Sequence, residues 1–114
     1  MKTKLKDLDI YQENCKKTAV YPSIGKGFVY PALGLVNEAG EVAGKIKKIF
    51  RDDKGKLTPE KKEDLEHEIG DVLWYVAQLS TELGLKLSNV AKKNLDKLST
   101  RKIKGTLHGS GDNR

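Results

Sequence analysis

The chain has 114 residues, enough for one domain, and a domain of that size buries only about two thirds of the surface its unfolded chain exposes. Lys and Arg number 22 against 16 Asp and Glu, a formal net charge of +6; such a surplus favours a polyanionic partner, be it nucleic acid, a membrane surface or a small polyphosphate. The single cysteine, Cys15, excludes an intramolecular disulfide framework and any multi-cysteine metal site, and no apolar run approaches the ~20 residues of a membrane span.

At the N-terminus, Met1-Lys2-Thr3-Lys4 leads into Leu5-Lys6-Asp7 rather than an apolar segment. A secretory leader is therefore not expected, and with a lone thiol the chain reads as cytoplasmic and soluble. Leu5, Leu8, Tyr11 and Cys15 fall at helical spacing and predict a first helix over 4–17. Pro22, Gly25, Gly27 and Pro31 mark residues 19–31 as a loop. A second helix is predicted over Ala32 to Phe50, with Leu35, Ala39, Val42, Ile46 and Ile49 as its apolar stripe. After the polar break at 51–56, Thr58-Pro59 reads as an N-cap followed by a first-turn proline. The third helix carries Leu65, Ile69, Val72, Val76, Leu79 and Leu83, and Gly84 is placed to end it. Ser88 would cap a fourth helix with Val90, Ala91, Leu95 and Leu98 on its apolar side. Residues 105–114 are Gly-rich and aperiodic. No strand pattern emerges, so the expected class is all-α with four helices, in a helical domain over 1–104 and a tail over 105–114.

The second and third helices repeat one motif: Glu38-Ala39-Gly40-Glu41-Val42, then Glu68-Ile69-Gly70-Asp71-Val72. At about 100° per residue, Glu38 and Glu68 lie about 60° from the stripe centred on Leu35 or Leu65, and Glu41 and Asp71 about 120° away on the same side. Each helix thus carries two acids along one flank of its buried face, and antiparallel packing brings the four together. A single acidic i, i+3 pair usually decorates a solvated face; two pairs in register beside the core do not fit that reading. Four carboxylates in one place repel unless a cation compensates. Oxygen donors suit Mg²⁺, with Mn²⁺ as a substitute, and Mg²⁺ keeps positions for water and phosphate. Gly40 and Gly70 cost helix stability of roughly 1 kcal/mol each, which predicts close approach of another backbone from a second layer or a second subunit.

On the fourth helix Asn94, Lys97 and Arg101 form a polar stripe suited to phosphates, as does Lys45 on the second, although Lys45 also has Glu41 as an i−4 partner. Tyr21, Lys26 and Tyr30 precede the first acidic pair and are candidates for contact with a base or phosphates. Trp74 lies opposite the core stripe, as expected of a residue buried in a second layer or interface, with base stacking the alternative. His67 shares that outer side and reads as solvated or interfacial.

The stretches Ala32–Val42 and Glu68–Tyr75 resemble the MazG-type nucleotide pyrophosphohydrolases of the all-α NTP pyrophosphatase superfamily, and the resemblance runs over roughly residues 30 to 101. It implies a four-helix MazG-type bundle assembling as a homodimer or homotetramer. It also implies that Glu38, Glu41, Glu68 and Asp71 bind Mg²⁺, that a nucleoside triphosphate is cleaved to monophosphate and pyrophosphate, and that Asn94, Lys97 and Arg101 lie near substrate phosphates. Among the carboxylates, Glu41 is the preferred general base, with Glu38 next. The tail, ending in Arg114, is either disordered or folds over bound phosphates. A di-iron bundle needs Glu-x-x-His pairs that the motifs lack. A basic nucleic-acid-binding module accounts for the charge but not for the acids, so no stable nucleic-acid binding is expected. Phosphoribosyl-ATP pyrophosphohydrolysis keeps the fold and changes the substrate.

Overall fold

A computed structural model describes residues 7–109 and 111. Leu5 of the first stripe, and the tail residues Ser110, Asp112, Asn113 and Arg114, lie outside the described residues. Four helices are present: α1 (Leu8–Cys15), α2 (Val29–Asp52), α3 (Pro59–Glu82) and α4 (Leu87–Lys104), with a 3-10 turn over Lys16–Thr18 and no strand among the described residues.

Helix α1 starts at Leu8 because Asp7, extended, accepts a 2.8 Å hydrogen bond from the Ile10 N–H. Its buried face is Gln12 and Cys15 rather than the predicted Leu8, which is exposed. Helix α2 begins three residues before the predicted Ala32. Pro31 sits in its first turn, where the missing N–H costs nothing, so a residue read as loop is in fact part of a helix start. Thr58 caps α3 through Lys61 N–H, followed by Pro59, as the sequence predicts. Gly84 adopts the left-handed conformation beyond its end.

Helix α4 departs from expectation. It begins at Leu87, and the preceding Lys86 offers no side-chain cap. Its first N–H groups are satisfied from α1: Gln12 Oε1 accepts from Leu87 N–H at 2.8 Å, and Asp9 accepts from Ser88 N–H at 3.0 Å and Ser88 Oγ at 2.7 Å. The predicted cap, Ser88, is instead the residue being capped. Gln12 also donates to Thr81 Oγ1 and the Leu85 carbonyl.

The core is a small cluster of Cys15, Ala77 and Leu87, with Tyr11, Trp74 and Val76 against it. It gathers α1 and α4 around the C-terminal end of α3. The rest of α3 packs on α2 as a helical hairpin. Gly34 permits that packing, since a Cβ there would overlap the Tyr75 ring. Along the hairpin the predicted stripes are only partly covered. Leu35, Val42, Leu65, Val72, Val76 and Leu79 are half-buried and Ile49 is buried, but Ala39, Ile46, Ile69 and Leu83 are exposed. Gly40 and Gly70 have open space where a side chain would stand. The close backbone approach predicted at these glycines is not made within the chain.

Candidate functional site

Helices α2 and α3 run antiparallel, and their acidic motifs face one another. Glu38, Glu68 and Asp71 each offer a carboxylate oxygen, and the three oxygens lie within 4.8 Å of one another. Glu38 and Glu68 are half-buried and Asp71 is exposed. Burial pushes the Glu38 carboxyl above its usual range, helped by the charges of Asp71, Glu68 and Glu41 in that order. Glu41 lies one turn along α2, exposed and outside the three-way group, but close enough to add to the repulsion.

Such a group suits a hard divalent cation: the donors are all carboxylate oxygens, gathered from two helices, and at least one is strained by neighbouring negative charge. Lys45 relieves part of that charge. Its Nζ lies 3.2 Å from Glu68 Oε1 and 3.6 Å from Asp64 Oδ2, so its ion-pair partners are on α3 rather than Glu41. The Glu68 hydrogen bond is the largest of the influences raising its pKa.

Beside the acids is an open cavity of about 390 Å³, lined by Thr18, Glu38, Asp71, Trp74 and Tyr75. Trp74 Nε1 donates to Thr18 Oγ1 at 2.9 Å. The Trp74 and Tyr75 rings stand at 85° with centroids 5.0 Å apart. Burial is the main influence raising the Tyr75 pKa, with Tyr30 and Glu38 next.

Residues 31–105 match the MazG nucleotide pyrophosphohydrolase domain, a span that holds both acidic motifs and all of α3 and α4. The chain is also 51% identical over 112 residues to the Gene 37 protein of Mycobacterium phage L5, covering 94% of this chain and 98% of that protein. It belongs to the MazG family. No solved structure matches the chain. Family membership points to nucleotide pyrophosphohydrolysis in general, and the carboxylate group on α2 and α3 agrees with the divalent-metal dependence of MazG proteins.

The other residues singled out from the sequence are placed as follows. Asn94 and Lys97 lie on the exposed side of α4, and Arg101 is buried, with 4% exposure. Arg101 donates from Nη2 to the Gly111 carbonyl at 3.3 Å, and so contacts the tail. None of the three is among the described residues lining the cavity beside the acids. Tyr21 is buried; it donates to Glu82 and accepts from Gln78. Glu82 also accepts from Gly25 N–H, which ties the loop to the end of α3. Tyr30 stacks on Tyr21 at 5.0 Å, and Lys26 is exposed. Trp74 is half-buried against the Cys15 cluster while reaching the cavity, so it serves both the packing and the site. His67 is exposed.

Sequence reasoning did not single out Thr18 or Tyr75 as site residues. Tyr75 stands one turn after Asp71 and shares its face, a signal open to the same helical-wheel argument. Thr18 lies in a 3-10 turn, to which no periodicity points.

Proposed function

We propose that this chain hydrolyses nucleoside or deoxynucleoside triphosphates to the monophosphate and pyrophosphate, in a reaction that depends on Mg²⁺ or Mn²⁺. The observation that carries this reading is the convergence of Glu38, Glu68 and Asp71 beside an aromatic-walled cavity in a MazG domain. Those three carboxylates, with Glu41 as a further ligand or neighbour, would hold the cation, which would supply positive charge for the phosphate oxygens and lower the pKa of the attacking water. Glu41 takes the proton of that water. It stands outside the three-way group, which leaves its carboxylate available as a general base, with Glu38 the alternative. The water oxygen bonds to phosphorus, the anhydride bond between the α- and β-phosphates breaks, and pyrophosphate leaves. Lys45, beside Glu68, and Asn94 and Lys97 on α4 offer a polar surface for the phosphates. Arg101, near the C-terminal end of α4, donates to the Gly111 carbonyl.

A homodimer or homotetramer fits the exposed apolar side of α2. Val29, Leu33, Val36 and Phe50 are more than half exposed along one stripe that passes through the open Gly40. No helix among the described residues is long and apolar enough to cross a membrane, which agrees with a cytoplasmic place of action.

Incubating the protein with Mg²⁺ and a panel of canonical and modified NTPs and dNTPs, with products resolved by anion exchange, tests the reaction. Monophosphate plus pyrophosphate, abolished by EDTA, is the expected result. Turnover of phosphoribosyl-ATP alone would move the chain to the related substrate class. No turnover of any nucleotide would overturn the reading.

A further inference from the structure

The acid group already has a counter-charge. Among the ion pairs of the described residues, that of Lys45 reaches it: Nζ stands 3.2 Å from Glu68 Oε1 and 3.6 Å from Asp64 Oδ2. Lys45 follows Glu38 by seven residues on α2, two turns along the same face, so the helix that supplies an acid also supplies the ammonium that answers it. Its two partners differ. The Glu68 side chain is 18% exposed and belongs to the three-way group, whereas that of Asp64 is 66% exposed and lies one turn nearer the start of α3. Screening by water makes the Asp64 pair the weaker of the two. On its other side Lys45 borders a separate cavity of about 230 Å³, lined also by Lys48, Ile49, Lys61 and Asp64. The described residues lining that cavity include no member of the three-way group, and Lys61 there is paired with Asp53. Lys45 thus stands between the acids and an open space that has Asp64 on its wall.

We propose that Lys45 is an exchangeable internal counter-ion, whose ammonium sits against Glu68 in the metal-free protein and moves to Asp64 when the acids take up a divalent cation. This rests on the reading above that Glu38, Glu68 and Asp71 hold such a cation. Two positive charges that share one carboxylate disfavour each other. A divalent ion draws on three carboxylates and the ammonium on one, so Lys45 is the charge that yields. It has a second partner within reach, and so gives up Glu68 without leaving a charge unpaired at a half-shielded site, which is the costly outcome. A flexible four-carbon stem carrying a compact ammonium suits that short swing. The consequence is an order of loading. A free ion is held back because Lys45 must first be displaced. An ion that arrives with a polyphosphate brings an anion for the displaced ammonium, so the site favours the metal–triphosphate complex over metal alone.

Binding of Mn²⁺ alone, followed by the loss of its free-ion paramagnetic resonance signal, tests this without nucleotide or turnover. Lys45→Met removes the charge and keeps most of the stem; it should bind Mn²⁺ roughly tenfold more tightly than wild type. Asp64→Asn, at an exposed position, removes the second partner and should weaken Mn²⁺ binding roughly threefold. Added to Lys45→Met, the Asp64→Asn change should have almost no effect, because no ammonium is left to receive. An equal effect in both backgrounds would show that Asp64 acts only as a nearby charge, and would overturn the exchange. Far-UV circular dichroism shows whether Lys45→Met folds; if it does not, Asp64→Asn decides, and unchanged or tighter binding there would sink the proposal. Equal or weaker binding by a folded Lys45→Met would mean that Lys45 supports Glu68 rather than competing for it. That result would also overturn the proposal, while loss of wild-type binding in Glu38→Gln would leave the metal reading standing. If neither wild type nor Lys45→Met binds Mn²⁺, the acids hold no cation and the underlying reading fails with the proposal.

Discussion

The two ends of α3 are built on opposite terms. At its C-terminal end, α1 and α4 meet it through a small apolar cluster, and nearly every polar group there is paired: Gln12 with Thr81, Leu85 and Leu87, and Asp9 with Ser88. Toward its middle, α3 faces α2 with carboxylates that repel one another, beside apolar residues left exposed. One region holds the fold and the other holds negative charge that Lys45 relieves only in part. Removing an acid from the hairpin and removing a hydrogen bond from the junction should therefore shift stability in opposite directions.

The sharpest break of that contrast is Glu38→Gln. Turnover should fall by about two orders of magnitude or more, because one donor of the three-way group is lost. In metal-free buffer the same variant should melt higher than wild type, since Glu38 is burdened by burial and by three neighbouring acids. Thermal unfolding with EDTA and an activity assay with Mg²⁺ measure the two effects. A variant that loses activity and also melts lower would show that the acids are structural.

The sequence makes the site more legible than the fold around it. The acids repeat in register with an apolar stripe, and periodicity with antiparallel packing gathers all four, of which the structure brings Glu38, Glu68 and Asp71 together and leaves Glu41 outside. The junction is less legible because its central residue is polar: Gln12 is buried, and no count of apolar spacing selects it. The start of α4 is hidden for a related reason. A cap supplied from α1 cannot be read from the residues beside the helix, so Ser88 looks like the cap when it is the donor. The glycine argument finds no second layer within the chain. Gly40 and Gly70 are open, whereas Gly34, which passes without comment in the sequence motif, is the one pressed against Tyr75.

Next in size is Gln12→Ala. It strips three partners at once and leaves the Leu87 N–H buried, a loss of about 2–3 kcal/mol. Urea unfolding should show a lowered midpoint with an unchanged slope, and kcat at low temperature should survive. Gly34→Ala should follow at about 1–3 kcal/mol from overpacking. Because Tyr75 lines the cavity, it should also raise KM. Unchanged stability in Gly34→Ala would mean that the Tyr75 ring moves aside freely.

The smallest effect concerns Asp9, and it sharpens the contrast by its sign. The Ser88 hydroxyl, then the Ser88 N–H, then the Lys86 charge hold its carboxyl below the usual 3.8, against a weaker opposing effect of burial. The unfolded chain then takes up the proton first. The stabilisation is fully present above the ordinary carboxylate value and is lost as pH falls through the lowered folded value. Glu38, pushed upward, has the opposite sign and changes over a higher range, so a single acid titration of wild type mixes the two. Comparing wild type with Asp9→Asn by urea unfolding from pH 7 to pH 3 separates them, because Glu38 is common to both proteins. The difference should stay constant down to about pH 5 and shrink below about pH 4. A difference that persists undiminished at pH 3 would show that it comes from hydrogen bonds that asparagine fails to keep and not from the Asp9 charge.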